Sequence, residues 1–297
     1  VRTKILLALF DEHNLRDSLN RALSLSRILD AELFVLRVLP EATRLNPLFP
    51  HVHVAHAVQS VEATLRTVRN TRSWLEDLFL DEVRDENISV RTGPFVEQVA
   101  EHAAHVGAEL IVMPPHRGPF GNIVTTLALT AGLPVLVARG ATSSDAIVAA
   151  TDLEDTDYPV LRQAARLGHE LDAPVIAVHN VRPVSLLLQA GLAWPHTMLA
   201  SGSATEARRR QLLNASRRLD LHSENVVAQQ LDHAEAILHE ARTRDADIVV
   251  VGSHDRGWLD RVLSASVAVA VVNRARRSVL VTPVGSSRSA HAANQVQ

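Results

Sequence analysis

The chain has 297 residues, 46% of them hydrophobic and 21% charged, which is enough for two domains that each bury a core. A formal net charge of −3 and an aromatic content of 3% argue against a nucleic-acid binder, which needs a basic surface and stacking platforms. There is no cysteine, so disulfide frameworks, thiol nucleophiles and cysteine-based metal sites are excluded together, and the composition suits a reducing cytoplasm.

No apolar run approaches the ~18 residues of a membrane helix. The longest, "ASVAVAVV" (265–272), stops at Asn273-Arg274, so membrane insertion is not expected. Asp11 and Glu12 follow the first apolar run at once, which does not read as a signal peptide.

Taken in order, the strands "KILLALF", "ELFVLRV", "ELIVM" and "PVLVA" are followed by "AIVAAT", "PVIAVHNV", "DIVVVG" and "SVLVTP". These are short unbroken runs rich in β-branched residues, without polar alternation, as in parallel strands buried on both faces. The segments between them carry helical spacing. In 159–171, Leu161, Ala164, Ala165, Leu167, Gly168 and Leu171 recur at threes and fours. Alternating βα units predict an α/β fold of open, doubly wound parallel sheets, with ligands beyond the carboxyl ends of the strands.

The chain also repeats itself. "VEQVAEHAAHVGAELIVM" (96–113) lies over "AEAILHEARTRDADIVVV" (234–251) at an offset of 138, which also puts His116 on His254. At an offset of 142, "ILLALF" (5–10) lies over "IVAATD" (147–152) and "DAELFVLRV" (30–38) over "DAPVIAVHN" (172–180). Two domain-sized copies are expected, 1–140 and 145–284, joined by the small, polar "ARGATSSDA" (138–146) and followed by a disordered tail, 285–297.

In the second copy "VVVGSHDRGWLDRVLSASVA" begins at Val249: an apolar run, a glycine, a polar loop and a helix. A phosphate site at a strand end is built this way, from backbone N–H groups and a helix N-terminus. Asp255 in mid-loop would repel a phosphate.

These features resemble tandem universal stress protein (UspA-like) domains, of the Rossmann-like, adenine nucleotide alpha hydrolase-like type. In that family a first-strand aspartate contacts the base, a second-strand residue packs near the ribose and adenine, and a G-x2-G-x9-G-[ST] loop wraps the phosphates. The resemblance carries these roles to Asp152, Asn180, Gly252, Ser253, His254 and Ser266. The second and third motif glycines are replaced by Asp255 and Ala265. The expected ligand is therefore ATP or another adenine nucleotide, held weakly, with Mg²⁺ bridging carboxylate and phosphate. In the first copy Phe10 replaces the aspartate, and Pro114 and Arg117 the first two glycines. Gly121-Asn122 then stands for the final pair, with six loop residues missing. That copy is expected to be structural, pairing with the second as a pseudo-dimer within one chain. The resemblance further implies dimers of the chain through the last strands.

The resemblance implies a cytoplasmic stress-response protein that binds and signals, with at most weak ATP hydrolysis. No G-x-S-x-G, G-x-x-x-x-G-K-[ST] or H-E-x-x-H motif is present. The alternative is a nucleotide-free scaffold that meets a lipid or protein through the apolar insert 186–199, or a cytosolic regulatory domain of a transporter. Three histidines, His51, His53 and His56, with His196 as a further partner, read either as the start of a zinc site or as a solvated insert. Arg210, Asn214, Arg217 and Arg218 line one side of a helix in 206–219, as a phosphate-binding stripe or a solvated face.

Overall fold

The structure is a computed structural model that describes residues 2–10, 15–40, 53–79, 82–116, 120–140, 145–181, 201–221, 224–228, 232–254 and 264–284. The chain divides into two compact units, Val1–His116 and Arg117–Gln297.

The first unit holds β1 (Lys4–Leu9), α1 (Leu15–Ile28), β2 (Glu32–Leu39), α2 (His53–Leu78), β3 (Ile88–Thr92), α3 (Phe95–Val106) and β4 (Leu110–Met113). Its strands run parallel in the order β3-β2-β1-β4. Every residue from Ile5 to Leu9 is fully buried, whichever way its side chain points. Helices must therefore cover both faces, as the unbroken apolar runs predict.

The second unit holds α4 (Gly121–Ala131), β5 (Val135–Val137), β6 (Ile147–Ala150), α5 (Pro159–Leu171), β7 (Val175–Asn180) and α6 (Ser201–Arg218). It continues through β8 (Glu224–Ala228), α7 (His233–Thr243), β9 (Ile248–His254), α8 (Ser264–Arg274) and β10 (Ser278–Val284). The strand order is β5-β10-β9-β6-β7-β8, parallel throughout except for the antiparallel pairing of β5 with β10. Proline at the first position of α5 and its buried Leu161, Ala164, Leu167 and Gly168 reproduce the spacing read from the sequence.

The repeat and the packed units are thus two different divisions of the chain. The last helix and strand of the first copy, α4 and β5, pack with α8 and β10 of the second. Val135, Leu136 and Val137 pair with Val281, Leu280 and Val279. The Asn273 side-chain oxygen accepts the backbone N–H groups of Phe120 (3.0 Å) and Gly121 (2.9 Å), satisfying two orphan donors at the start of α4. Arg139, in the segment read as linker, donates to the carbonyls of Val272 (2.9 Å) and Arg277 (3.2 Å). Burial lowers its pKa to about 10, which leaves it charged at neutral pH. Because β10 pairs with β5 on one side and β9 on the other, it has no open edge for a second chain. The last-strand association implied by the resemblance is, for this strand, made within one molecule rather than between two.

Candidate functional site

The carboxyl ends of β6, β7, β9 and β10 open into a cavity of about 580 Å³ in the second unit. It lies where the strand order reverses about β6, since β6 is followed in the chain by β7 on one side and flanked by β9 on the other. In open α/β sheets that crevice is the ligand position.

Three of the six residues singled out from the sequence line it: Asp152, Asn180 and Gly252. Asp152 follows β6, and its carboxylate accepts the N–H of Glu154 at 3.1 Å. The turn it opens is tightly organised. Leu153 N–H donates to the Thr151 hydroxyl (3.1 Å) and Asp157 N–H to the Asp155 carboxylate (2.9 Å). Leu153 and Tyr158 are both held at positive φ, +61° and +46°. Non-glycine residues in that region cost on the order of 1 kcal/mol each, and such strain persists where surrounding contacts over-determine it. Here Gln211 of α6 clamps the Leu153 carbonyl at 2.7 Å, and Arg208 in turn holds Gln211 at 2.9 Å.

Asn180 ends β7 and is buried, its amide nitrogen 3.0 Å from His233 Nδ1. In this contact the amide donates and Nδ1 of His233 accepts. Next to it, His179 Nδ1 lies 2.8 Å from the Thr151 carbonyl and donates to it. Burial lowers the His179 pKa and is only partly countered by this bond. Behind the cavity Asp232 caps α7, accepting the N–H groups of Ala234 (2.9 Å) and Glu235 (3.3 Å). Its pKa is lowered first by the hydrogen bond from Arg274 at 2.8 Å.

The remaining three residues are placed differently. β9 extends through His254, paired with β10 up to Val284, where the sequence suggests a loop from Ser253 onward. Side chains alternate along a strand, so the residue after Gly252 faces the other way. Ser253 is 1% exposed and its hydroxyl lies 3.4 Å from the Thr125 carbonyl, off the cavity. The His254 side chain lies outside the described residues, as does Asp255 with the loop 255–263. α8 begins at Ser264, so Ser266 lies inside the helix instead of capping it, and its side chain too lies outside the described residues.

Sequence reasoning missed His233, His179, Tyr158 and Arg208, which line the cavity together with Thr151, Glu154 and Asp155. A signal for the first existed: at the offset of 138, His233 falls on Phe95. In the first unit that phenylalanine packs edge-on against Phe10 with centroids 4.9 Å apart, and His116 lies 5.0 Å from Phe10 on another side. Phe10, standing where the second copy has Asp152, is half-buried against these two rings.

Thr282, beside Gly252 and on the same strand face as the cavity-lining Val284, is buried with a hydroxyl that finds no hydrogen-bond partner among the described residues. The histidine cluster and the apolar insert fall elsewhere. His53 and His56 lie in the first turn of α2, a helix and not a strand, and their side chains, His51, His196 and 186–199 lie outside the described residues. Among the described residues no group of three or more His, Asp or Glu is arranged to hold a metal ion, and no helix is long and apolar enough to cross a membrane.

Solved structures share this fold. A functionally unknown protein from Pseudomonas aeruginosa PAO1 is 16% identical over 95% of this chain and 93% of its own, with a TM-score of 0.60. A universal stress protein from Archaeoglobus fulgidus DSM 4304 is 14% identical over 95% and 96%, again at 0.60. A universal stress protein from Archaeoglobus fulgidus in complex with dAMP aligns with 46% of this chain and 96% of its own, at 22% identity and a TM-score of 0.33. Comparison with curated proteins gave no match. The universal stress protein family, however, matches twice in tandem, over residues 2–139 and 144–283. Together with the two sequence repeats and their parallel α/β units, this double match means that the chain belongs to the universal stress protein family, as a tandem member.

Proposed function

We propose that the chain is a cytoplasmic stress-response protein that acts by binding an adenine nucleotide in its second copy alone, without catalytic turnover. The observation that carries this reading is the cavity at the strand ends, which joins Asp152, Asn180 and Gly252 around about 580 Å³. That volume suits a nucleoside-sized ligand. Its lining is apolar where a purine would lie (Val160, Val178, Ile237) and polar at Asp152, where a carboxylate can accept from an exocyclic amine. The packing of Phe10 against Phe95 and His116 supports a structural role for the first copy.

Affinity for ATP is held down by charge. The cavity is lined by three carboxylates, Asp152, Glu154 and Asp155, against one guanidinium, Arg208, and Asp255 follows in the loop. A pair of like charges 4 Å apart costs ~1 kcal/mol in water and ~4 at an effective dielectric of 20. If Mg²⁺ enters with the nucleotide, its charge would offset part of this repulsion. With β10 paired on both sides, a dimer of the chain would form through a surface other than this strand. Calorimetric titration with ATP, with and without Mg²⁺, beside Asp255→Gly, tests the reading. Binding by the native chain that tightens with Mg²⁺, with a smaller Mg²⁺ effect in the glycine variant, is the expected result. No binding by either protein under either condition would contradict it.

A further inference from the structure

A second, shallow groove of about 710 Å³ runs along α6, lined by Tyr158, Ala207, Gln211 and the side chains Arg210, Asn214, Arg217 and Arg218. Tyr158 lines both this groove and the cavity at the strand ends. The two are opposite in charge. The cavity carries three carboxylates to one guanidinium, whereas the groove carries three guanidiniums and no carboxylate. Of those three, Arg210 is paired with Glu206 at 3.2 Å. Arg217 and Arg218 are exposed and have no carboxylate partner among the described residues. The buried side of α6 is made by Leu212, Ala215 and Ser216, so the arginines are not needed for packing.

We infer that the ligand site continues past Tyr158 onto α6, and that the anionic tail of a phosphorylated ligand lies in this groove against Arg210, Arg217 and Arg218. The inference rests on the reading that the cavity holds the ligand's uncharged ring. Four observations lead to it. A polyphosphate kept inside the cavity would face Asp152, Glu154 and Asp155, while the adjoining groove offers unpaired guanidiniums, which bind phosphate oxygens well. The strained turn ending at Tyr158 fixes the one ring common to both spaces. Arg208 and Gln211 tie α6 to that turn, so groove and cavity hold a set geometry. Arg210 and Arg217 are two helical turns apart, ~10 Å, which matches an extended chain of phosphates better than a single one. A nucleic-acid ligand is disfavoured by the three carboxylates of the adjoining cavity and by the net charge of −3.

The test compares adenosine, ATP and inorganic tripolyphosphate by calorimetry at fixed Mg²⁺, on the native chain and on R217Q/R218Q. Both positions are exposed, so the variant is expected to keep the native melting temperature. In the native chain ATP binds more tightly than adenosine and tripolyphosphate binds alone. The double variant loses about tenfold in affinity for ATP and tripolyphosphate and nothing for adenosine. Unchanged ATP and tripolyphosphate affinity in the variant, or no tripolyphosphate binding by the native chain, would overturn the groove. Tighter binding of a single-stranded oligonucleotide than of ATP, lost in the variant, would also overturn it. If tripolyphosphate binds and depends on both arginines while adenosine does not bind, the groove stands and the adenine reading of the cavity falls.

Discussion

The two copies put different chemistry at the same place on the same fold. In the first, Phe10 follows β1 and packs, half-buried, against Phe95 and His116. In the second, Asp152 follows β6 and opens a cavity where His233, at the position of Phe95, bonds Asn180. One substitution at a strand end and one at a helix start separate an aromatic cluster from a polar-lined cavity. The sheets beneath are alike, with parallel strands in the shared order β3-β2-β1-β4 and β8-β7-β6-β9. Duplication leaves one copy free to become scaffold once the other keeps the site, and the burial pattern of the strands does not reveal which has done so.

Exchanging the two residues breaks the comparison most severely. Phe10→Asp removes ring packing at a half-buried position and is expected to cost about 2 kcal/mol in denaturant unfolding, without creating a binding site. Asp152→Phe is expected to weaken adenosine binding at least ~100-fold, which calorimetry would report.

The helix after the third strand of each copy offers a contrast in pH response. His102 on α3 is buried with neither ring nitrogen hydrogen-bonded. Burial first, then Arg91 and His105, lower its pKa from 6.5 to about 4. The second copy has Glu240 there, paired with Arg244. The unfolded chain takes up the His102 proton at a higher pH than the folded one. Stability is therefore full above about pH 6.5 and falls as pH drops toward 4, by about 3 kcal/mol at most. His102→Phe should flatten that slope in melts recorded across the window, and an unchanged slope would place the acid sensitivity elsewhere.

Smaller effects probe the contact that joins α4 to α8. A Cβ on Gly121 would lie 2.6 Å from the Val269 carbonyl oxygen, so Gly121→Ala is expected to destabilise by about 2 kcal/mol, whereas the second copy carries Ala265 at the matching position. Asn273→Ala removes the acceptor for two N–H groups at the start of α4 and is expected to cost about 1 kcal/mol.

Much of this was legible in the residues, because the signals were local. Strand runs, the repeat and the spacing of α5 follow from apolar pattern alone, and Asp152, Asn180 and Gly252 lie at strand ends that the pattern marks. What was not legible depended on where elements stop and meet. β9 runs to His254 because β10 pairs with it that far, and this extension turns Ser253 toward Thr125. α8 starts two residues before Ser266. His233, Tyr158 and Arg208 reach the cavity from α7, α5 and α6, elements far apart in the chain that only the fold brings together.

The most direct test of the central claim is to find where an adenine compound touches the chain. Photolabelling with 8-azidoadenosine, followed by mass-spectrometric mapping of the modified peptides, answers it. Label confined to peptides from 150–181 and 232–254, competed away by adenosine, is the predicted result. Label on peptides from 1–116, or label that adenosine does not displace, would contradict the assignment of one live site to the second copy.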